Sequence, residues 1–229
     1  MKVKLLLPAL IETKEQKRMT NECKKSLVSK EHDIELTEDN KRYKTRVAGA
    51  WNALLDPWRG KDYDYLMIVA SDTIADPNTI DFMVKCAEEN PKAGIITGKV
   101  IRDLKQFKKM AGKRKYTPKL TSGLIDPACF IIRKGVIEKV GRIDEEFPFE
   151  FVERDYIWRC KLAGYEIIQP DVILWYHPPF SGTIGNPQLR LQKALRKYIR
   201  KWGGDANSEV FKFPYNDMNL DFTFVGKYS

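Results

Sequence analysis

Three acidic positions in this sequence stand where carboxylates could meet a ligand. Asp72 follows Tyr65 to Ala70, six apolar or aromatic residues without charge or alternation, the pattern of a strand buried on both faces. Ser71, Asp72 and Thr73 therefore fall at the carboxyl end of a central strand. Asp76 is placed to cap a helix with Pro77 in its first turn and Ile80, Met83, Val84 and Ala87 at helical spacing. Buried strand, acidic turn and helix form the layout of an α/β protein that binds ligand outside the carboxyl ends of its strands. On position alone, Asp72 reads either as a ligand-facing carboxylate or as a turn residue. A second acid, Asp39, ends the alternating stretch that starts at Asp33. The third is a pair, Glu153 and Asp155, on a helical stretch closed by Gly164. Residues two apart on a helix point in roughly opposite directions, and Asp155 has Arg159 four residues on, in the favourable order for an ion pair. Such carboxylates can hold a hard divalent cation or accept a proton in general base catalysis.

The elements that must position them alternate. Val3 to Leu7 reads as a strand ended by Pro8, Lys14 to about Lys30 as an exposed helix, and Asp33 to Leu36 as a second strand. Val47, Ala50, Trp51 and Leu54 mark a short helix closed by Asp56 and Pro57, and Ala93 to Thr97 is a fourth strand after the one ending at Ala70. This β-α-β-α-β-α-β order implies a parallel sheet covered by helices with right-handed crossovers. The stretch from Lys99 to Thr121 breaks the pattern and reads as a solvated loop or mobile lid. Ala128 to Arg133 is another strand, Lys134 to Val140 a helix, Glu153 to Ala163 a helix with a left-handed cap at Gly164, and Glu166 to Tyr176 one or two short strands. The last helix starts near Pro187. Leu191, Ala194, Leu195, Tyr198, Ile199 and Trp202 form its apolar stripe, with Arg190, Lys193, Arg196, Lys197, Arg200 and Lys201 facing away. Nothing is legible after Gly204.

At 229 residues with 43% hydrophobic content, the chain can bury a sizeable core. No window approaches the length of a membrane span, and the N-terminal apolar run is too short for a signal peptide, which points to a cytoplasmic protein. Cys23, Cys86, Cys129 and Cys160 are far apart and form no CxxC pair, so reduced core thiols are expected rather than a metal cage or disulfides. The formal charge of +9 favours acidic partners. It is concentrated between Lys99 and Lys119, where nine basic residues meet a single acid, Asp103, and again between Leu189 and Trp202.

Taken together and in order, these residues resemble the GT-A-fold nucleotide-sugar glycosyltransferases of the large family 2 type, over about Val3 to Ser181. The features are the opening strand to Pro8, Asp39 after the second strand, the helix with Gly49, Ala50, Trp51 and Asn52, and the strand ending Ala70-Ser71-Asp72-Thr73 with Asp76 and Pro77. The turn Gly141 to Phe147 and the run Glu153-Arg154-Asp155 to Arg159, leading to Gly164 and Tyr165, complete the set. The resemblance implies a divalent cation, Mn2+ or Mg2+, that neutralises charge on a departing diphosphate. The family's Asp-x-Asp metal motif reads Ala70-Ser71-Asp72 here, so only its second carboxylate is present. It further implies His177 as a second metal ligand, with Ser71 and Asp72 beside the donor nucleotide. Asp39 would bind the base, commonly uracil, and the backbone of Pro8 and Ala9 would line the same pocket. Glu153 aligns with the family's catalytic base, where aspartate is usual, and Asp155, in the same motif with Arg159 as a structural partner, is the second catalytic candidate. A retaining mechanism would need no base. Asn52 is expected to fix helix packing, and His32 has no assigned role.

The expectation is therefore one GT-A domain over residues 1–229, with a mostly parallel sheet, a small acceptor-side sub-sheet and a C-terminal amphipathic helix. Residues 1–98 would be the nucleotide-binding half, 99–121 the basic loop, 122–182 the acceptor and catalytic half, and 183–229 the helix and tail. The expected activity is metal-dependent sugar transfer from a nucleotide diphosphate, most simply a UDP-sugar, to a hydroxyl on a glycan. A nucleic-acid acceptor, as in enzymes that glycosylate modified bases of viral DNA in a host cytoplasm, is the alternative within the class. A non-catalytic basic nucleic-acid-binding module is the alternative outside it, opposed by acids at two strand ends.

Overall fold

The structure is a computed structural model that describes residues 1–9, 11–39, 47–116, 120–122, 128–170, 174–178, 187–205 and 207–226, with the side chains of residues 39, 120–122, 174 and 187 excepted. The strands are β1 (Lys2–Pro8), β2 (Asp33–Asp39), β3 (Tyr65–Val69), β4 (Ile74–Ala75), β5 (Ala93–Thr97), β6 (Lys99–Ile101), β7 (Leu120–Ser122), β8 (Cys129–Arg133), β9 (Glu166–Pro170) and β10 (Leu174–Tyr176). The helices are α1 (Lys14–Ser26), α2 (Val47–Leu55), α3 (Thr79–Glu89), α4 (Leu104–Met110), α5 (Lys134–Val140), α6 (Val152–Leu162) and α7 (Pro187–Trp202).

A mixed, mostly parallel sheet runs β2-β1-β3-β8-β5-β9-β7. β1 pairs in parallel with β2 and β3, and β5 with β9. β8 is antiparallel to both β3 and β5 and lies between them. The alternation read from the sequence therefore holds for element order but not for neighbourhood, because a late strand enters the middle of the sheet.

Each face of the sheet is covered as its side-chain alternation requires. Leu66 and Ile68 of β3 point into one core with Trp51, Leu54, Ile137, Val140, Tyr156 and Ile157, so α2, α5 and α6 lie on that face. Tyr65, Met67 and Val69 point into the other with Cys23, Ile80, Met83 and Cys86 from α1 and α3. All five residues of β3 are buried, each stabilising the fold by roughly 1.5–3 kcal/mol where fully apolar, which anchors whatever follows Val69. α1 opens with a reciprocal cap: the Gln16 N–H donates to Thr13 Oγ1, and the Thr13 N–H donates to Gln16 Oε1. Gly164 adopts a left-handed φ of 89° after α6. A Cβ on Gly94 would sit 2.7 Å from atoms of Tyr165 and Val136, where β5 runs tight against the helix layer. The four cysteines are buried and form no disulfide. Among the described residues, no helix is long and apolar enough to cross a membrane.

Several expectations are corrected. Asp76 is not the cap of α3, which begins at Thr79 after Asn78. Its carboxylate instead accepts from the N–H groups of Asn78, at 2.9 Å, and Gly112, at 2.6 Å. The basic stretch is no loop: it holds β6 and α4, while residues 117–119 lie outside the described residues. The reason is an apolar set hidden among the lysines. Ile101 and Phe107 are buried against Ile74, Leu104, Met110 and Tyr176, and Asp103 caps α4 by accepting from the Gln106 N–H. β6 joins β10 and β4 in a second, three-stranded sheet.

On α7, Ala194, Tyr198 and Trp202 are buried as expected, but Leu191 and Ile199 are 49% and 43% exposed, and Lys201 is fully buried. The tail is part of the packing: the Trp158 indole donates to the Phe211 carbonyl, and Arg159 Nε donates to the Phe222 carbonyl at 2.6 Å.

Candidate active site

The carboxyl edge of the main sheet carries Pro8, Ala9, Asp39 and, after β3, Asp72. Pro8 ends β1 in register with Asp39 at the end of β2, and Ala9 follows, fully buried. The backbone thus brings Pro8, Ala9 and Asp39 together, while the Asp39 side chain and Asn40 lie outside the described residues.

After β3 the chain turns sharply and is fastened. The Ala70 N–H donates to the Ala128 carbonyl at 2.8 Å, the Thr73 N–H to the Ala70 carbonyl at 3.0 Å, and the buried Thr73 hydroxyl to the Ala128 carbonyl at 3.3 Å. Ser71 and Asp72 are held on the outside of this turn, partly exposed. β4 follows at once and pairs antiparallel with β10, Ile74 opposite Tyr176. That pairing delivers His177 to Asp72 across 105 positions of sequence, with Nε2 at 3.3 Å from Asp72 Oδ1. β6 pairs in parallel with the other side of β10, Ile101 opposite Tyr176, and the His177 N–H donates to the Ile101 carbonyl at 3.2 Å. Arg102, next along, then reaches the same histidine: its Nη1 contacts His177 Nδ1 and donates to the His177 carbonyl at 3.3 Å.

Asp72 and His177 offer one hard oxygen and one imidazole nitrogen, a pair that suits a divalent cation whose remaining positions go to phosphate and water. Among the described residues, no group of three or more histidine, cysteine or carboxylate side chains converges. The donor set therefore fits an open site completed by a ligand, not a closed structural cage.

Glu153 lies in the first turn of α6. This helix runs from the carboxyl edge towards the start of β9 and spans about 16 Å over its 11 residues. Its start therefore stands at the edge where β3 ends. Phe151, just before it, adopts a left-handed φ of 64°, a conformation that costs a bulky residue on the order of 1–3 kcal/mol and that here sets the direction of the first turn. The Glu153 side chain is 17% exposed, with Oε1 at 3.9 Å from Arg154 Nε.

Asp155 faces inward and reaches no open surface. Its carboxylate accepts from Lys201 Nζ at 2.7 Å and from the Trp202 indole at 2.9 Å, and all three residues are fully buried. Lys201 also meets Asp144, whose carboxylate accepts from the N–H groups of Glu146 and Gly226, both at 2.9 Å. Burial, and then the neighbouring Asp155, hold Asp144 above the ordinary carboxylate range, against the pull of Lys201. Arg159 lies 3.6 Å from Asp155 but directs its donors to the Arg142 and Val140 carbonyls at 2.7 and 2.6 Å. The expected Asp155–Arg159 pair is thus present as the weaker contact, and the stronger partner is Lys201. Asn52 makes a reciprocal pair of bonds, 2.8 Å each, with the backbone of Ile143, fixing α2 to the turn at 141–147.

Sequence reasoning missed Arg102, Asp144 and Lys201. Each lay inside a charge pattern, and only the apolar residues Ile101, Leu104 and Phe107 signalled that the basic stretch was built into the fold.

No protein-family model matches the sequence. Two curated relatives, both poly-β-1,6-N-acetyl-D-glucosamine synthases of Staphylococcus epidermidis, are 26% identical over 150 residues, 60% of this chain. The chain spans about a third of the length of these curated relatives, 35%. Among solved structures, S. aureus TarS aligns over 78% of this chain and 37% of its own, with a TM-score of 0.52 and 12% identity. Residues 1–349 of TarS in complex with UDP align over 91% of this chain and 74% of theirs, with a TM-score of 0.52 and 10% identity. The fold is that of the GT-A glycosyltransferases.

Proposed function

We propose that this chain is a nucleotide-sugar glycosyltransferase that moves a sugar from a UDP-linked donor to a hydroxyl group, with the carboxyl edge of the sheet as its active site. The observation that carries this reading is the meeting of Asp72 and His177, residues from β3 and β10 ends, 3.3 Å apart beside the strand ends where the fold takes its ligands. A chain at 26% identity to polysaccharide synthases, with the fold of a protein solved with UDP, supports the same donor class.

In this reading the backbone of Pro8 and Ala9, with Asp39, receives the base. Asp72 and His177 hold Mn2+ or Mg2+, which would act as a Lewis acid towards the leaving diphosphate. Glu153 takes the proton of the acceptor hydroxyl as its oxygen bonds to the sugar's anomeric carbon and the bond from that carbon to the diphosphate oxygen breaks. Asp155 does no proton transfer: it fixes the helix that aims Glu153. A cavity of about 220 Å3 opens beside the entry to α6, lined among others by Pro148, Phe149, Arg190 and Lys193. An aromatic ring next to hydrogen-bonding side chains suits a glycan acceptor.

The direct test is turnover of a panel of sugar nucleotides, preceded by thermal shift with and without manganese. Asp72→Ala is expected to lower UDP affinity in manganese to the level that the wild type shows in EDTA. Calorimetry finding the same manganese-dependent gain in the variant would refute the metal assignment.

A nucleic-acid acceptor is the second reading, favoured by the exposed Lys108, Lys109, Lys113, Arg114 and Lys115 after β6 and by Lys193, Arg196 and Arg200 on α7. Duplex DNA binding should then fall steeply with salt, by about 0.9 log–log slope units per phosphate contact. The triple alanine variant of Lys113, Arg114 and Lys115 should flatten that slope. A slope near zero in the wild type would leave the glycan reading alone.

A further inference from the structure

We infer that Arg102 is a ligand of the donor's diphosphate, a cation built into the protein that takes part of the charge otherwise left to the metal. The inference rests on the nucleotide-diphosphate reading above and names a residue of that site which the sequence did not single out.

Position comes first. Arg102 follows β6, which is fixed to β10 by register and by the bond from the His177 N–H to the Ile101 carbonyl. Ile101 and Phe107 bury the flanking backbone, so the arginine stands on a rigid element. Its side chain is turned to the ring and carbonyl of His177, and the other face of that ring looks at Asp72. The guanidinium is thus held at the cation site by the same histidine that would ligate the metal.

Charge comes second. Ser71 is neutral, so Asp72 is the one carboxylate on the outside of this turn, and Arg102 cancels its formal charge. Asp103, the acid beside the arginine, is committed to capping α4 through the Gln106 N–H. Beside Asp72, Arg102 presents a planar donor group matched to phosphate oxygens. Phosphate arriving at Asp72 and His177 comes within reach of Nη1, and a guanidinium that exchanges an imidazole for an anion gains hydrogen-bond strength.

The test measures binding rather than turnover. UDP, UMP and inorganic pyrophosphate are titrated calorimetrically into the full chain, in EDTA and in manganese, for the wild type, Arg102→Ala, Arg102→Lys and a control, Lys109→Ala, on the exposed side of α4. In EDTA the wild type should bind UDP about 10–100-fold more tightly than UMP. Arg102→Ala should erase most of that ratio without changing UMP affinity, Arg102→Lys should retain part of it, and Lys109→Ala should match the wild type. Manganese should restore more UDP affinity to Arg102→Ala than it adds to the wild type. An unchanged UDP-to-UMP ratio in Arg102→Ala overturns the inference and leaves the donor reading standing. Failure of the wild type to bind UDP or pyrophosphate in either condition overturns both.

Discussion

Glu153→Gln is expected to lower sugar transfer by about 10²–10⁴-fold while UDP affinity stays nearly unchanged. The amide keeps the size of the side chain and its capacity to hydrogen-bond but cannot take the acceptor's proton. Because Glu153 stands on the first turn of α6, partly exposed and apart from the buried ion cluster, its replacement should leave the melting temperature within a degree or two. Single-turnover rates with saturating donor, set beside calorimetric UDP affinity, separate the chemical step from binding. A variant that transfers sugar at the wild-type rate removes Glu153 as the base. Restoration of transfer by Glu153→Asp would support it, since the carboxylate returns one methylene shorter.

The second large effect concerns stability. Lys201→Met should destabilise the fold by about 3–5 kcal/mol, because it leaves the Asp144 and Asp155 carboxylates in the interior without their shared cation. All three side chains are fully buried, so solvent does not screen the loss. Asp155→Asn should cost less, since the amide can still accept from Lys201 and the Trp202 indole. The two changes together should be less damaging than their sum, as removing both partners removes the mismatch. Urea denaturation of the three variants gives the comparison. A loss under about 1 kcal/mol in Lys201→Met would mean that the cluster is not what joins α7 to α6.

Much of this architecture was legible in the sequence where burial was two-sided or periodic. Tyr65 to Val69 and Ala93 to Thr97 read as strands because nothing in them is charged, Ala128 to Arg133 because its one charge stands at its end, and Gly164 read as a helix end because a left-handed residue was needed there. Asp72 and His177 could be named, although only the β4–β10 pairing brings them together. What stayed hidden was of another kind. The direction of a strand is not written in its composition, so β8 could not be recognised as antiparallel. A buried lysine looks like its exposed neighbours until its partners are known, and Lys201 lies one position from the stripe that closes with Trp202. In the basic stretch, three-residue strands and a seven-residue helix are too short for periodicity to stand out against nine positive charges.

The central place of β8 has a temporal consequence. Val69 pairs with Cys129, sixty positions later, and the turn that carries Asp72 is fastened by the Ala128 carbonyl. A ribosome adds about 5–20 residues per second, so β3 leaves the tunnel some 3–12 s before its inner partner exists. During that interval a wholly apolar strand has one unpaired edge, the geometry most prone to association with another chain. Slowing translation between residues 70 and 128 should therefore raise the aggregated fraction, whereas slowing it after residue 133 should not. The turn that carries Asp72 thus waits for the same strand that completes the middle of the sheet.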